Sequence, residues 1–293
     1  MLSALPAPRI SVVICTRNRA RYLPEALRAI ERIRTSIPWE VVIVDNGSTD
    51  DTAAVLGTFV QSGTVPARVL PEPVPGLSRA RNTGWRAARA AIVAFTDDDC
   101  YPEPDYIDRI DAAFQDASIA YIGGCIELHD PADRPITILT GRSKRLIPAR
   151  TIVEPGEIQG ANMAARRTVL EAVGGFDETL GAGTPFPAED VEFVCQASVA
   201  GFGGTYDPGP VVRHHHRRQT DSAVRALQAG YARGRGAYHM KCFLDPARRR
   251  LALTTWYWRA RARPWRTRFK MRYVQERLQE LVGAAIYLLY RRR

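Results

Sequence analysis

The chain lacks any run of about 18 apolar residues, the length needed to cross a bilayer as a helix. Its longest late apolar stretch, Leu281 to Tyr290, is too short. The N-terminal Met1-Leu2-Ser3-Ala4-Leu5-Pro6 carries neither a basic segment nor a long apolar core, so no secretory leader is expected. The five cysteines (Cys15, Cys100, Cys125, Cys195 and Cys242) are odd in number and show no C-x-x-C spacing, which argues against a disulfide scaffold or zinc ribbon. Together these absences predict a cytoplasmic protein. Internal repeats and low-complexity tracts are missing too, and 293 residues suffice for a full core.

One further scarcity is local. Residues 247–272 hold ten Arg or Lys and no acid, whereas residues 1–246 hold 27 basic and 29 acidic residues. The formal net charge of +10 therefore belongs to the C-terminal segment, and the rest of the chain is near neutral.

What is present alternates. Strand-like runs at residues 10–15, 41–44, 68–70 and 91–95 are separated by helical patterns, one carrying Leu23, Leu27 and Ile30 on a single face with Pro24 in its first turn. Ser48 or Thr49 is a candidate cap for the helix through Val55, Leu56 and Phe59. The alternation predicts an α/β fold, a mainly parallel sheet with helices on both faces. Such sheets place ligands at the carboxyl ends of their strands, where Thr16, Asp45 and Asp97–Asp99 all fall. Beyond residue 126 the pattern is less regular, with an expected flexible loop at 141–155 and short helices at 167–173 and 189–200. From about Thr220 the chain turns helical, so we divide it into a domain at 1–219 and a helical, basic extension at 220–293.

Asp97, Asp98 and Asp99 follow a buried apolar run. Adjacent carboxylates repel, and a divalent cation is the usual reason for gathering them, because hard oxygen ligands suit Mg²⁺ or Mn²⁺. A solvated acidic turn is the bland alternative. Glu189 and Asp190 open a helix, where carboxylates are stabilised by ~0.3–1 kcal/mol without any catalytic role. In His214-His215-His216, which follow a strand-like run, alternation puts His214 and His216 on one face. Nothing pairs them with cysteine at zinc-ligand spacing.

Seven motifs, in order, resemble the family 2 inverting glycosyltransferases of GT-A fold. They are Ser11-Val-Val-Ile-Cys-Thr-Arg-Asn, Val41-Val-Ile-Val-Asp-Asn-Gly-Ser-Thr-Asp, Ser78-Arg-Ala-Arg-Asn-Thr-Gly, Ala94-Phe-Thr-Asp-Asp-Asp, Gly160-Ala-Asn-Met, Gly174-Gly-Phe-Asp-Glu and Glu189-Asp190. The resemblance implies a nucleoside-diphosphate sugar donor, a UDP-sugar in first place, a Mg²⁺ or Mn²⁺ cofactor, and direct displacement with inversion at the anomeric carbon. By it, Thr16, Arg17, Asp45 and Asn46 line the nucleoside pocket, although many relatives carry Asp where this chain has Asn46. Arg81 approaches the nucleotide or its phosphates. Asp97 and Asp99 match the family's Asp-x-Asp motif, with Asp99 on the metal and Asp97 or Asp98 on the ribose side. His214, and second His216, complete the metal shell. Asp190 is the general base and Glu189 beside it holds the acceptor. Gly160, Ala161 and Asn162 bring backbone near sugar or acceptor, glycine permitting close approach.

Two rivals stay open: a catalytically silent sugar-nucleotide-binding module on the same fold, and a nucleotidyltransferase. The second calls for a glycine-rich phosphate loop after the first strand, and Thr16-Arg17-Asn18-Arg19 has no glycine. The tail interleaves Trp256, Tyr257, Trp258 and Trp265 with arginines, ahead of an apolar helical pattern through Tyr273, Leu278, Leu281, Val282, Ile286 and Leu289. It suits peripheral contact with an anionic membrane through residues 247–293, and with it a lipid-linked acceptor in cell-surface polysaccharide or glycolipid assembly. Packing on the main domain is the alternative, and nucleic-acid binding the less favoured one.

Overall fold

The computed structural model describes residues 7–262 and 271–291, with side chains through 255 and from 274. Four strands form its parallel half: β1 (Ile10–Thr16), β2 (Trp39–Asp45), β3 (Ala67–Pro71) and β4 (Ile92–Asp97), in the order β3-β2-β1-β4. The central strands are buried on both faces, so they appear in the sequence as continuous apolar runs. Val13, Val42 and Phe95 point into one core with Met163 and Phe193. Val12, Ile14, Val41 and Ile43 point into the other, under Leu23, Leu27 and Ile30 of helix α1 (Leu23–Glu31). Helices α2 (Thr52–Ser62) and α3 (Leu77–Ala87) complete the crossovers.

Beyond β4 the sheet becomes mixed. β4 pairs antiparallel with β8 (Asn162–Arg166), which is followed by β6 (Tyr121–Leu128), β9 (Gly204–His214) and β5 (Cys100–Pro102). β7 (Arg145–Ile147) lies on the edge of β9, so the expected flexible loop at 141–155 contains a paired strand. Helices α4 (Tyr106–Ala113), α5 (Arg167–Val173) and α6 (Glu189–Val199) flank this half. β1 sends its crossover to β2 on one side and has β4 on the other, which makes the β1–β4 boundary the topological switch point. Register there sets Thr16 beside Asp45 and Cys15 beside Asp97.

The capping expectation is corrected. α2 begins at Thr52, and Ser48 and Thr49 instead tie two loops together. The Asn18 amide donates to Ser48 Oγ at 3.0 Å, and the Thr49 amide donates to Asn18 Oδ1 at 2.7 Å.

Three further helices follow β9: α7 (Asp221–Leu244), α8 (Pro246–Ala262) and α9 (Met271–Tyr290). The Thr220 hydroxyl caps α7 by accepting the Ala223 amide at 3.3 Å. α7 packs on what precedes it. Tyr238 Oη donates to the Val153 carbonyl at 2.6 Å, and Lys241 Nζ lies 2.5 Å from carboxylates of both Asp177 and Glu192. Arg248 of α8 adds a 2.9 Å contact to Glu192. α7 and α9 approach so closely that a Cβ on Gly236 would lie 1.9 Å from the Glu280 carbonyl oxygen. The side chains of Trp256, Tyr257, Trp258 and Trp265 lie outside the described residues.

Candidate active site

The loops at the strand ends converge on a cleft of ≈ 1420 Å³. Thr16, at the end of β1, is buried, and its hydroxyl donates to Asp98 Oδ2 at 2.6 Å. Arg17 lines the cleft from an exposed position. Asp45 accepts the Ser48 amide at 3.1 Å and is not among the residues that line the cleft. Asn46 does line the cleft, but its side chain is committed to the β3–α3 loop: Nδ2 donates to the Glu72 and Val74 carbonyls, and Oδ1 accepts the Gly76 amide at 2.8 Å. The Asn46 side chain therefore fixes the shape of that wall of the cleft.

All three aspartates of the triplet face the cleft. Burial pushes the Asp98 carboxyl up to about 7, with Arg19 opposing that rise. Burial also raises Asp97, against the nearby Arg81. Asp99 goes the other way. Burial works against its charge, but His214 and Arg19 outweigh it and hold the carboxyl below its usual value. His214 Nε2 lies 3.4 Å from Asp99 Oδ1, and its Nδ1 pairs with Thr137 Oγ1 at 3.1 Å, whose hydroxyl hydrogen goes to the Ile136 carbonyl. A metal-ligating histidine is held by a brace on its second nitrogen, and the Thr137 contact on Nδ1 is a brace of that kind. The neighbouring Cys100 thiol is buried and held far from ionising, which leaves hard oxygens and one imidazole as donors. That donor set fits Mg²⁺ or Mn²⁺.

His216 does not share in it. Its Nε2 pairs with the Arg134 carbonyl at 2.8 Å and its Nδ1 accepts the Arg218 amide at 3.0 Å, so both nitrogens are used in holding the chain after β9. β9 ends at His214, so His216 lies past the strand; the two rings are 5.2 Å apart, yet only His214 reaches the cleft.

Across the cleft, α6 brings Glu189 and Asp190. Arg81, buried on α3, donates to Glu189 Oε1 at 2.7 Å and to Asp97 Oδ1 at 3.2 Å, and its guanidinium lies 5.5 Å from the Phe176 ring centroid. Asp190 Oδ2 accepts the Gly160 amide at 2.9 Å, and Oδ1 accepts the Val191 amide at 2.7 Å. These bonds orient a carboxylate that still borders the cleft. Gly160 owes its size to Arg81, because a Cβ there would meet Arg81 Nη2 at 2.5 Å. Ala161 lines the cleft and its carbonyl accepts the Thr96 hydroxyl at 2.9 Å. Asn162 is not among the residues that line the cleft. Its side chain is buried, donating to the Cys125 and Pro210 carbonyls and accepting from Tyr106 Oη, away from the cleft.

Two features were missed by sequence reasoning. Arg19 lies 3.3 Å from Asp98 and 3.2 Å from Asp99; it belongs to a loop already singled out, but nothing in its spacing distinguishes it from Arg17. Tyr231, Arg235 and Glu280, from α7 and α9, line the far end of the cleft. Nothing in the helical pattern of the extension points to such a role.

Residues 11–174, more than half of the chain, match the description "Glycosyl transferase family 2". The chain belongs to this family. Among curated proteins it is similar to the glycosyltransferase AglE of Haloferax volcanii, 28% identical over 212 residues, covering 70% of this chain and 66% of that one. It is also similar to the pre-mycofactocin glycosyltransferase of Mycobacterium tuberculosis, 29% identical over 220 residues, covering 72% and 43%. The chain thus spans less than two thirds of the length of these relatives. Among solved structures, the Pyrobaculum calidifontis mannosyltransferase PcManGT in complex with GDP-Man and Mn²⁺ superposes with a TM-score of 0.65 at 20% identity, covering 98% of this chain and 88% of that one. S. aureus TarS 1–349 in complex with UDP-GlcNAc gives 0.65 at 17% identity, covering 96% and 80%. The fold is the GT-A fold of these glycosyltransferases.

Proposed function

We propose that the protein is a metal-dependent inverting glycosyltransferase that moves a sugar from a nucleoside-diphosphate donor, most simply a UDP-sugar, to a hydroxyl acceptor. The observation that carries this reading is one cleft with Asp99 and His214 on one wall and Asp190 on the other. Asp99 and His214, with Asp97 beside them, would hold Mg²⁺ or Mn²⁺. When bound, the cation supplies neutralisation of the charge that develops on the departing diphosphate. Structural relatives solved with GDP-Man and Mn²⁺ or with UDP-GlcNAc support a nucleotide-sugar donor.

The chain's own residues would do the rest. Thr16, Arg17 and the Asn46-braced wall bind the nucleoside side, and Asp98 is placed for the ribose. Arg19 and Arg81 lend positive charge on either side of the triplet. Asp190, oriented by the Gly160 amide, takes the proton of the attacking hydroxyl, and the attack from the face opposite the diphosphate inverts the anomeric carbon. Glu189, locked to Arg81, sets the acceptor-side wall. The cleft continues to Tyr231, Arg235 and Glu280, so the extension would form part of the acceptor site, with room for a saccharide or lipid-linked acceptor of the kind used in polysaccharide or glycolipid assembly.

A thermal-shift panel of UDP-, GDP- and dTDP-sugars, with and without Mn²⁺, tests the donor half. One base should give a cation-dependent rise in Tm. No rise with any sugar nucleotide would remove the reading. NMR of the transferred product at the anomeric centre tests inversion.

A further inference from the structure

α9 carries a stripe of large apolar side chains on the face turned away from the rest of the protein. Val274, Leu278, Leu281, Val282, Ala285 and Leu289 recur at helical spacing, and all six are exposed, Leu281 and Leu289 to 68% and 67%. The opposite face packs inward through the buried Tyr287, which meets Phe186, and through polar and small residues. Glu280 meets Arg235 at 2.9 Å, Gln279 accepts from Arg233 at 3.2 Å, and a Cβ on Gly283 would lie 2.1 Å from the Arg233 carbonyl oxygen. The inward face is already occupied by α7, so the apolar stripe has no cover within the described residues. A contiguous apolar stripe of this kind marks a contact surface.

We propose that this outer face of α9 lies flat on an anionic lipid surface, with its leucines among the acyl chains. Charge complementarity selects the occupant. The stripe is bracketed in sequence by the acid-free, ten-cation stretch 247–272 on one side and by Arg291-Arg292-Arg293 on the other. Anionic headgroups attract such flanks while the apolar stripe enters the interface. A second copy of the chain would instead bring two such cationic flanks together. Nucleic acid would satisfy the arginines but leave the leucines in water. No described helix is long and apolar enough to cross a membrane, and α9, with Glu276, Arg277 and Glu280 in its length, accordingly lies along the surface. Glu280, on the inner face of α9, lines the far end of the cleft, so docking would hold that end of the site near the bilayer.

The test is flotation of the full chain with vesicles of equal parts phosphatidylcholine and phosphatidylglycerol, beside vesicles of phosphatidylcholine alone. The wild type should float with the anionic vesicles, and high salt should release it. The triple variant Leu278→Ser, Leu281→Ser, Leu289→Ser should partition about tenfold less or weaker still, with unchanged Tm because all three side chains are exposed. Absence of flotation, or flotation of the triple variant equal to wild type, overturns the proposal. So does light scattering that finds a wild-type dimer which the triple variant splits, since a second copy would then be the cover.

Discussion

Arg81 Nη1 lies 2.7 Å from Glu189 Oε1, although 108 residues separate them, and both side chains are buried. The contact joins α3, the crossover between β3 and β4 of the parallel half, to α6, which carries the proposed base. Through its other nitrogen Arg81 also reaches Asp97. One guanidinium thus spans the two walls of the cleft and offsets charge on both.

Arg81→Ala should therefore destabilise the fold, because it leaves Glu189 buried without a partner. Loss of about 3–5 kcal/mol is expected from breaking a buried pair. Urea denaturation measures it. A loss under half that size would mean that Glu189 is neutral in the native state, consistent with the upward push that burial exerts on it.

Gly160→Ala should act through the same arginine. The added Cβ would sit 2.5 Å from Arg81 Nη2, so the guanidinium must shift and the Gly160 amide bond to Asp190 loosens. A destabilisation of about 1–3 kcal/mol is expected. Turnover should fall further than donor binding, which steady-state kinetics against a thermal-shift titration would separate.

Asp190→Asn removes the proton acceptor while keeping the size and the hydrogen bond from Gly160. Donor-induced thermal shifts should persist, and turnover should drop about 10²–10⁴-fold. Wild-type transfer by this variant would move the base elsewhere, whereas transfer at neither protein would favour a silent sugar-nucleotide-binding module.

His214 and His216 should part company under substitution. His214→Ala is expected to weaken the Mn²⁺-dependent thermal shift, and Thr137→Val to weaken Mn²⁺ affinity by about 10–100-fold through loss of the brace on Nδ1. His216→Ala should lower Tm with little change in cation affinity, because its nitrogens serve the Arg134 carbonyl and the Arg218 amide. Isothermal titration with Mn²⁺ decides.

Glu40 offers a pH test away from the cleft. Burial opposes its charge, but hydrogen bonds from Arg89 and Ser11, with Arg68 nearby, hold the carboxyl below its usual value. A carboxyl depressed in the folded state adds stability that is complete above the unfolded pKa of about 4.3 and is lost as pH falls through the folded value. Glu40→Gln should thus cost about 1–3 kcal/mol at pH 7 and progressively less below pH ~4. Denaturation curves at both pH values measure the difference.

Much of the parallel half was legible in sequence. β1, β2 and β4 are buried on both faces, so each is a short apolar run, and the acidic or polar residue that ends each run marks the carboxyl end of the strand. The short helix Arg167–Val173 and the start of α6 at Glu189 were legible for the same reason: local periodicity and terminal signals suffice. The seven ordered motifs carried the family.

Other features depended on distant contacts. Asn46 and Asn162 look equally available as polar residues beside strands, but only the fold reveals that backbone groups far along the chain consume their amides. Alternation would give His214 and His216 one strand face, but β9 ends at His214, and the loop at 133–137 decides which of them is free to meet Asp99. The pairing of Arg81 with Glu189, the reason for Gly160, and the inward face of α9 are likewise set by packing between elements far apart in sequence. The order of apolar and polar residues determined that this chain is an α/β protein with carboxylates at its strand ends and a cationic tail. Tertiary structure alone decided which of those polar groups face the cleft, because burial and hydrogen-bond partners are properties of the assembled layers.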